Sequence, residues 1–172
     1  MRPLTEARKA NGFTLSEVMI TVVIVGILSA VALPNYFRQV QRTKQSEASA
    51  TLAQIQTIVA TYIDEYNLTP TGWKDLSDIT AIMTTSGPAD LASFESIILP
   101  GGNYTVSGTT SGDDNNYFEF TATPVSTDEE TLKYNVMACI DLENGASDLK
   151  QGNRDSANKK IESTDLVCQG GS

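Results

Sequence analysis

The residues with the most chemical content form one hexapeptide, Gly12-Phe13-Thr14-Leu15-Ser16-Glu17. Glu17 is a carboxylate at the mouth of an apolar run, since residues 18–37 contain no charged side chain. Carried into an apolar environment, an ionised carboxylate is costly unless something neutralises it. The stretch from Thr14 to Glu17 also has the spacing of a helix N-terminal capping box, in which the Glu accepts from backbone N–H groups. Both roles for Glu17 are open on the residues alone.

The second constellation is a cysteine pair, Cys139 and Cys168. Following an export-type N-terminal segment, two cysteines point to an oxidising compartment and one disulfide, with two reduced buried thiols as the alternative. Closing a loop of that length would stabilise the fold by roughly 3–4 kcal/mol in the chain-entropy model. The carboxylates of Asp113, Asp114, Asp141, Glu143, Asp148 and Asp155 could offer hard oxygen ligands to calcium, but they lack the spacing of a recognisable loop and read equally as solvated turns. Asn67-Leu68-Thr69 and Asn103-Tyr104-Thr105 match the glycosylation tripeptide, a frequent accident.

Other chemistry is excluded by composition. There is no histidine, which removes the commonest general base and the commonest imidazole ligand. No phosphate-binding loop, nucleophile triad or metal cluster is visible, so no enzymatic activity, metal or cofactor is expected. With 21 acidic residues against 12 basic ones the net charge is −9, which opposes the counterion release that drives nucleic-acid binding. No direct nucleic-acid binding is predicted.

The elements that would position these residues follow a simple order. Residues 1–12 are net positive through Arg2, Arg8 and Lys9 against Glu6 and precede the uncharged run, as the positive-inside flank of a membrane-inserting segment does. About 20 helical residues rise about 30 Å, the thickness of a bilayer core. Gly26 and Pro34 fall inside this run; they read either as ordinary features of membrane helices or as points where the helix bends. Ala30-Val31-Ala32 also satisfies the small-x-small rule for ordinary secretory cleavage, which would start the mature chain at Leu33.

Beyond Asn35 the pattern becomes amphipathic, with Ala48, Leu52, Ile55, Val59, Tyr62 and Tyr66 forming one apolar stripe and Arg42, Lys44, Gln45, Gln54 and Thr57 on a solvated or interfacial face. Residues 14–66 thus read as one helix of roughly 80 Å. Pro70 and Gly72 end it, and a short helix is expected around residues 74–83. After Pro100-Gly101-Gly102, alternating runs at 104–107, 117–123 and 132–140 predict an antiparallel meander whose inner face is Val106, Phe118, Phe120, Tyr134, Val136 and Ala138. Trp73 and the tyrosines read as core or subunit-contact residues. Residues 141–172 read as a polar tail held back only by Cys168, with a frayed end at 169–172.

The hexapeptide resembles the class III signal of type IV pilins and their relatives, the pseudopilins of type II secretion: a basic leader ending in Gly, a Phe that becomes the new N-terminus, a Glu at the fifth mature position, then an apolar helix. The likeness covers about the first forty residues, including Pro34 and Tyr36-Phe37. It implies the α+β pilin "lollipop": a long N-terminal helix, half membrane-inserted and half amphipathic, packed on a small antiparallel sheet. The expected organisation is a leader at 1–12, a transmembrane and polymerisation helix at 13–37, and a globular domain at 38–172.

The resemblance also implies cleavage between Gly12 and Phe13 by a prepilin peptidase, and N-methylation of Phe13. The freed α-amino group of a neighbouring subunit would then neutralise Glu17, favouring one register. The implied product is a homopolymer serving adhesion, motility or DNA uptake, made with a platform protein and a cytoplasmic ATPase. It starts as a single-pass inner-membrane precursor and ends in an extracellular filament. The cysteine pair is more like the disulfide-closed region of pilins than like major pseudopilins. A type II secretion pseudopilin and a secreted or membrane-anchored binding protein are the alternatives.

Overall fold

A computed structural model describes residues 12–112, 115–155 and 158–168. The leader positions 1–11, the acidic pair Asp113 and Asp114, and the C-terminal residues 169–172 discussed above lie outside the described residues. In chain order the elements are α1 (Leu15–Tyr66), α2 (Trp73–Ile79), β1 (Met83–Thr84), β2 (Gly87–Pro88), β3 (Ile97–Ile98), β4 (Tyr104–Ser111), β5 (Tyr117–Pro124), α3 (Glu129–Leu132), β6 (Val136–Asp141) and β7 (Ser147–Gln151). Two compact units result, one ending at Gln39 and the other beginning at Val40.

The second unit is built on a five-stranded antiparallel sheet of order β3-β4-β5-β6-β7, with β1 and β2 as a separate two-stranded ribbon. Alternation along β5 sends Phe118, Phe120 and Ala122 to one side, where they meet Val106 of β4 and Val136 and Ala138 of β6. Ala48, Leu52, Ile55 and Val59 of α1 close that layer, and every one of these side chains is buried. Trp73 of α2 completes it, its ring against Phe94 and Phe120 and its Nε1 donating to the Glu95 carbonyl at 2.6 Å. This is the expected α+β arrangement of a long N-terminal helix on an antiparallel sheet.

Two glycines are demanded by close approach. A Cβ on Gly72 would lie 2.3 Å from the Ala92 carbonyl carbon, and one on Gly152 would lie 2.2 Å from the Lys133 carbonyl oxygen. Neither chain crossing could form with a larger residue.

Several sequence expectations need correction. The sheet has two more strands than the three alternating runs suggest, β3 beside β4 and β7 beside β6; Thr109, Thr110 and Ser111 lengthen β4, and Ser147–Gln151 pairs with β6. Both segments are polar, and their main-chain ladders rather than apolar side chains hold them. The third run starts at Val136, not Leu132: Asp128 caps a single helical turn, its carboxylate accepting from the Thr131 N–H at 3.0 Å. Tyr134 is buried, yet it lies outside any strand. The short helix ends at Ile79, and Met83 belongs to β1. At the far end of the stripe Tyr66 is 48% exposed, so the packed face of α1 stops at Tyr62 and Ile63.

Gln45 is the largest correction, because it is buried rather than solvated. Its Nε2 donates to the Gly152 carbonyl at 2.7 Å and to the Asn135 carbonyl at 3.3 Å. Gln56, one packed turn past Leu52, donates to the carbonyls of Cys139 at 2.7 Å and Asp148 at 2.9 Å. Two glutamines thus fasten α1 to β6, β7 and the turn after them. The tail is also better tethered than a single bridge would allow, since the Asn135 amide exchanges two bonds of 2.8 Å with the backbone of buried Ile161. Beyond it, the backbone carbonyl of Asp165 accepts from Lys150, and the Val167 N–H donates to Asp148 at 2.9 Å.

Candidate assembly site

The N-terminus of α1 is capped by its own side chains. Thr14 donates to Glu17 Oε2 through its backbone N–H at 2.8 Å and through its hydroxyl at 2.7 Å. The Glu17 N–H in turn donates to Thr14 Oγ1 at 3.3 Å. This reciprocal pair satisfies otherwise unpaired donors of the first turn, so the capping box anticipated from the spacing is formed. Thr21, one turn on, donates its hydroxyl to the Glu17 carbonyl.

From this cap the first unit presents an unbroken apolar surface. Phe13 is 90% exposed, and Leu15, Val22, Ile27, Leu28, Val31, Tyr36 and Phe37 are all more than half exposed. By length and composition α1 can cross a membrane: its most apolar window has mean hydropathy 2.3 and none of that window is buried. Exposure on this scale is unstable in water, because each large apolar side chain left wet forgoes roughly 1.5–3 kcal/mol of burial. Lipid or protein must cover it.

Helical assignment runs through Gly26 and Pro34. No atom outside the local helix lies within 4 Å of a Cβ placed on Gly26, so nothing in the subunit requires a glycine there. Pro34 has no N–H to give to the carbonyl of Ala30. The next residue, Asn35, donates its side-chain amide to the neighbouring Val31 carbonyl at 3.3 Å, which does not replace the donor that Ala30 lacks.

At the other end of the chain Cys139 and Cys168 are joined, with Cα atoms 6.0 Å apart. The remaining candidates come apart as sites. Asp141 accepts from Glu143 N–H and from the Asn144 amide, both at 2.9 Å, and Asp155 accepts from Gln151 N–H at 2.7 Å. These are turn-closing carboxylates. Among the described residues no group of three or more His, Cys, Asp or Glu side chains is arranged to hold a metal. The candidate site residues therefore fall in two places, Gly12, Phe13, Glu17, Gly26 and Pro34 on the apolar helix and its approach, and Cys139 on β6 bonded to Cys168 in the segment beyond the last strand.

Sequence reasoning missed Gln45, Gln56 and Asn135. One signal was available for the first: positions 45, 48, 52, 55 and 59 continue the same three- and four-residue steps, so Gln45 stands in register with the core stripe. Its polar amide concealed that.

The prokaryotic N-terminal methylation motif matches residues 7–33. With the capped, charge-flanked apolar helix, this makes the N-terminal segment similar to that of type IV pilins and pseudopilins. Among particular relatives, the type IV major pilin protein PilA of Myxococcus xanthus is 46% identical over 55 residues, 32% of this chain and 25% of that protein. The type IV major fimbrial protein FimA of Dichelobacter nodosus is 40% identical over 53 residues, 31% of this chain and 34% of its own length. The type II secretion system core protein G of Aeromonas hydrophila is 32% identical over 66 residues, covering 38% of this chain and 46% of that protein. The chain thus spans between a quarter and just under half the length of these relatives.

Proposed function

We propose that this chain is the precursor of a type IV pilus subunit, a structural protein without catalytic activity of its own. The observation that carries the reading is the apolar helix from Leu15 to Phe37, uncovered throughout, opening on a Gly12-Phe13 junction and a single carboxylate at Glu17. The precursor inserts in the inner membrane, a prepilin peptidase cuts after Gly12, and Phe13 is N-methylated. The helix then leaves lipid for the helices of other copies in an extracellular filament, driven by the platform protein and its ATPase. That exchange brings little net hydrophobic gain, so register must come from polar features. Glu17, neutralised by the α-amino group of a neighbouring Phe13, is the alignment residue, and Gly26 and Pro34 allow the helix to bend during packing.

The similarity to core protein G supports a second reading, a pseudopilin of type II secretion. The Cys139–Cys168 bridge favours the pilin, whose resemblance includes a disulfide-closed C-terminal region. Mass and N-terminal sequencing of the chain from membranes and from sheared filaments tests the proposal. Methylated Phe13 in both fractions is expected. A mature chain starting at Leu33, or one still starting at Met1, would overturn it.

A further inference from the structure

Along the half of α1 beyond the apolar segment, basic residues gather at the start, in mid-helix, and Asp64 and Glu65 at the finish, with Glu47 between them. Arg42 and Lys44 follow the apolar segment, with Arg38 four positions earlier, and no acidic residue occurs between Glu17 and Glu47. At the other end, Asp64 and Glu65 stand in the last turn, which contains no basic residue. A helix C-terminus carries partial negative charge on its unpaired carbonyls, so cations stabilise it and carboxylates do not. Asp75 and Asp78 of α2 both act electrostatically on the Tyr62 phenol, and Lys74, 3.0 Å from Asp78, is the cation of that group. Among the described residues the ion pairs are Lys74–Asp78, Lys133–Glu130 and Lys150–Asp148. None of them neutralises Arg42, Lys44, Asp64 or Glu65.

We infer that these two ends are the halves of one contact between copies of this chain: Arg42 and Lys44 of one copy meet Asp64 and Glu65 at the helix C-terminus of another. The inference rests on the filament reading above. Copies inserted in one bilayer run parallel, so an antiparallel two-fold pair is excluded. The opposite charges can then meet only if the second copy is displaced along the helix by about 33 Å, the rise from position 42 to position 64 at about 1.5 Å per residue. Such a contact is heterologous and does not close on itself, which is what a filament requires. It neutralises both the carboxylates and the carbonyl end of the helix at once.

Two experiments on the full chain in the producing cell test this. Zero-length carbodiimide coupling of sheared wild-type filaments should join the Lys44 amine to the carboxylate of Asp64 or Glu65. Within one helix these groups are about 30 Å apart, so that product must link two copies. Lys44 coupled only to other carboxylates would overturn the contact. Separately, the double reversals Arg42→Glu with Lys44→Glu, and Asp64→Lys with Glu65→Lys, should each lower the ratio of filament to membrane subunit by about tenfold or more. All four changes in one chain should recover most of it. Unaltered ratios, or no recovery in the combined variant, would sink the contact while leaving the filament reading intact. If the wild-type chain is absent from sheared filaments, the filament reading itself fails.

Discussion

Gln45 Nε2 lies 2.7 Å from the Gly152 carbonyl oxygen, joining residues 107 positions apart in the chain. The bond is buried, and the same amide reaches the Asn135 carbonyl. Gln45→Leu keeps the volume but takes the Gln45 donor from the Gly152 carbonyl, while the Asn135 carbonyl keeps the Gly152 N–H at 2.8 Å, and this costs about 1–3 kcal/mol. Thermal unfolding of the detergent-solubilised chain should show the loss, and Gln45→Glu should be at least as damaging, because it buries a charge facing two oxygens.

Thr14 and Glu17 separate capping from assembly. Thr14→Ala removes a cap and should cost about 1 kcal/mol of helix stability while filaments still form. Glu17→Ala should leave membrane insertion and processing intact yet sharply reduce filament yield. Equal filament yields from the two variants, measured by shearing, would show that Glu17 acts only as a cap.

Reduction of the Cys139–Cys168 bridge should open residues 162–168 without releasing β7. The ladder between β6 and β7 and the Asn135–Ile161 pair do not depend on the sulfurs. The bridge closes a separation of 29 residues, for which the chain-entropy contribution is about 3–4 kcal/mol. Hydrogen exchange on the reduced chain should lose protection in 162–168 first. Simultaneous loss in 147–151 would contradict the anchoring by Asn135.

Tyr104 gives an alkaline signature. Its phenol is buried and donates to the Tyr134 carbonyl at 2.8 Å, and burial, with the nearby Tyr134 phenol adding to it, pushes its pKa above the ordinary value of 10.0. A raised folded pKa means the neutral phenol contributes stability that is complete below the unfolded value and lost as pH climbs from there through the folded one. Stability should therefore fall above about pH 10. Tyr104→Phe should lose about 1 kcal/mol at neutral pH and show a shallower alkaline decline, read from unfolding at pH 8 and pH 11.

Much of this architecture is legible because periodicity writes it in apolar residues. The stripe from Ala48 to Val59 and the alternation of Phe118, Phe120 and Ala122 each declare a buried face. What escaped is held by groups that periodicity does not mark. Thr109–Ser111 and Ser147–Gln151 are strands by main-chain pairing, and Gln45 and Asn135 enter the core because specific carbonyls await them. The Gly12–Glu17 junction is legible for a different reason: its meaning lies in residue types at fixed offsets, independent of the fold around them.

The glutamine fasteners also set where the subunit yields under tension. In the filament proposed above, pull along the axis would enter each domain through α1 and pass to the sheet at Gln45 and Gln56 and through the apolar face between them. One of the two Gln56 acceptors is the carbonyl of Cys139, whose sulfur is locked to Cys168, so one of the strands that would take the strain is covalently stapled to the segment beyond the last strand.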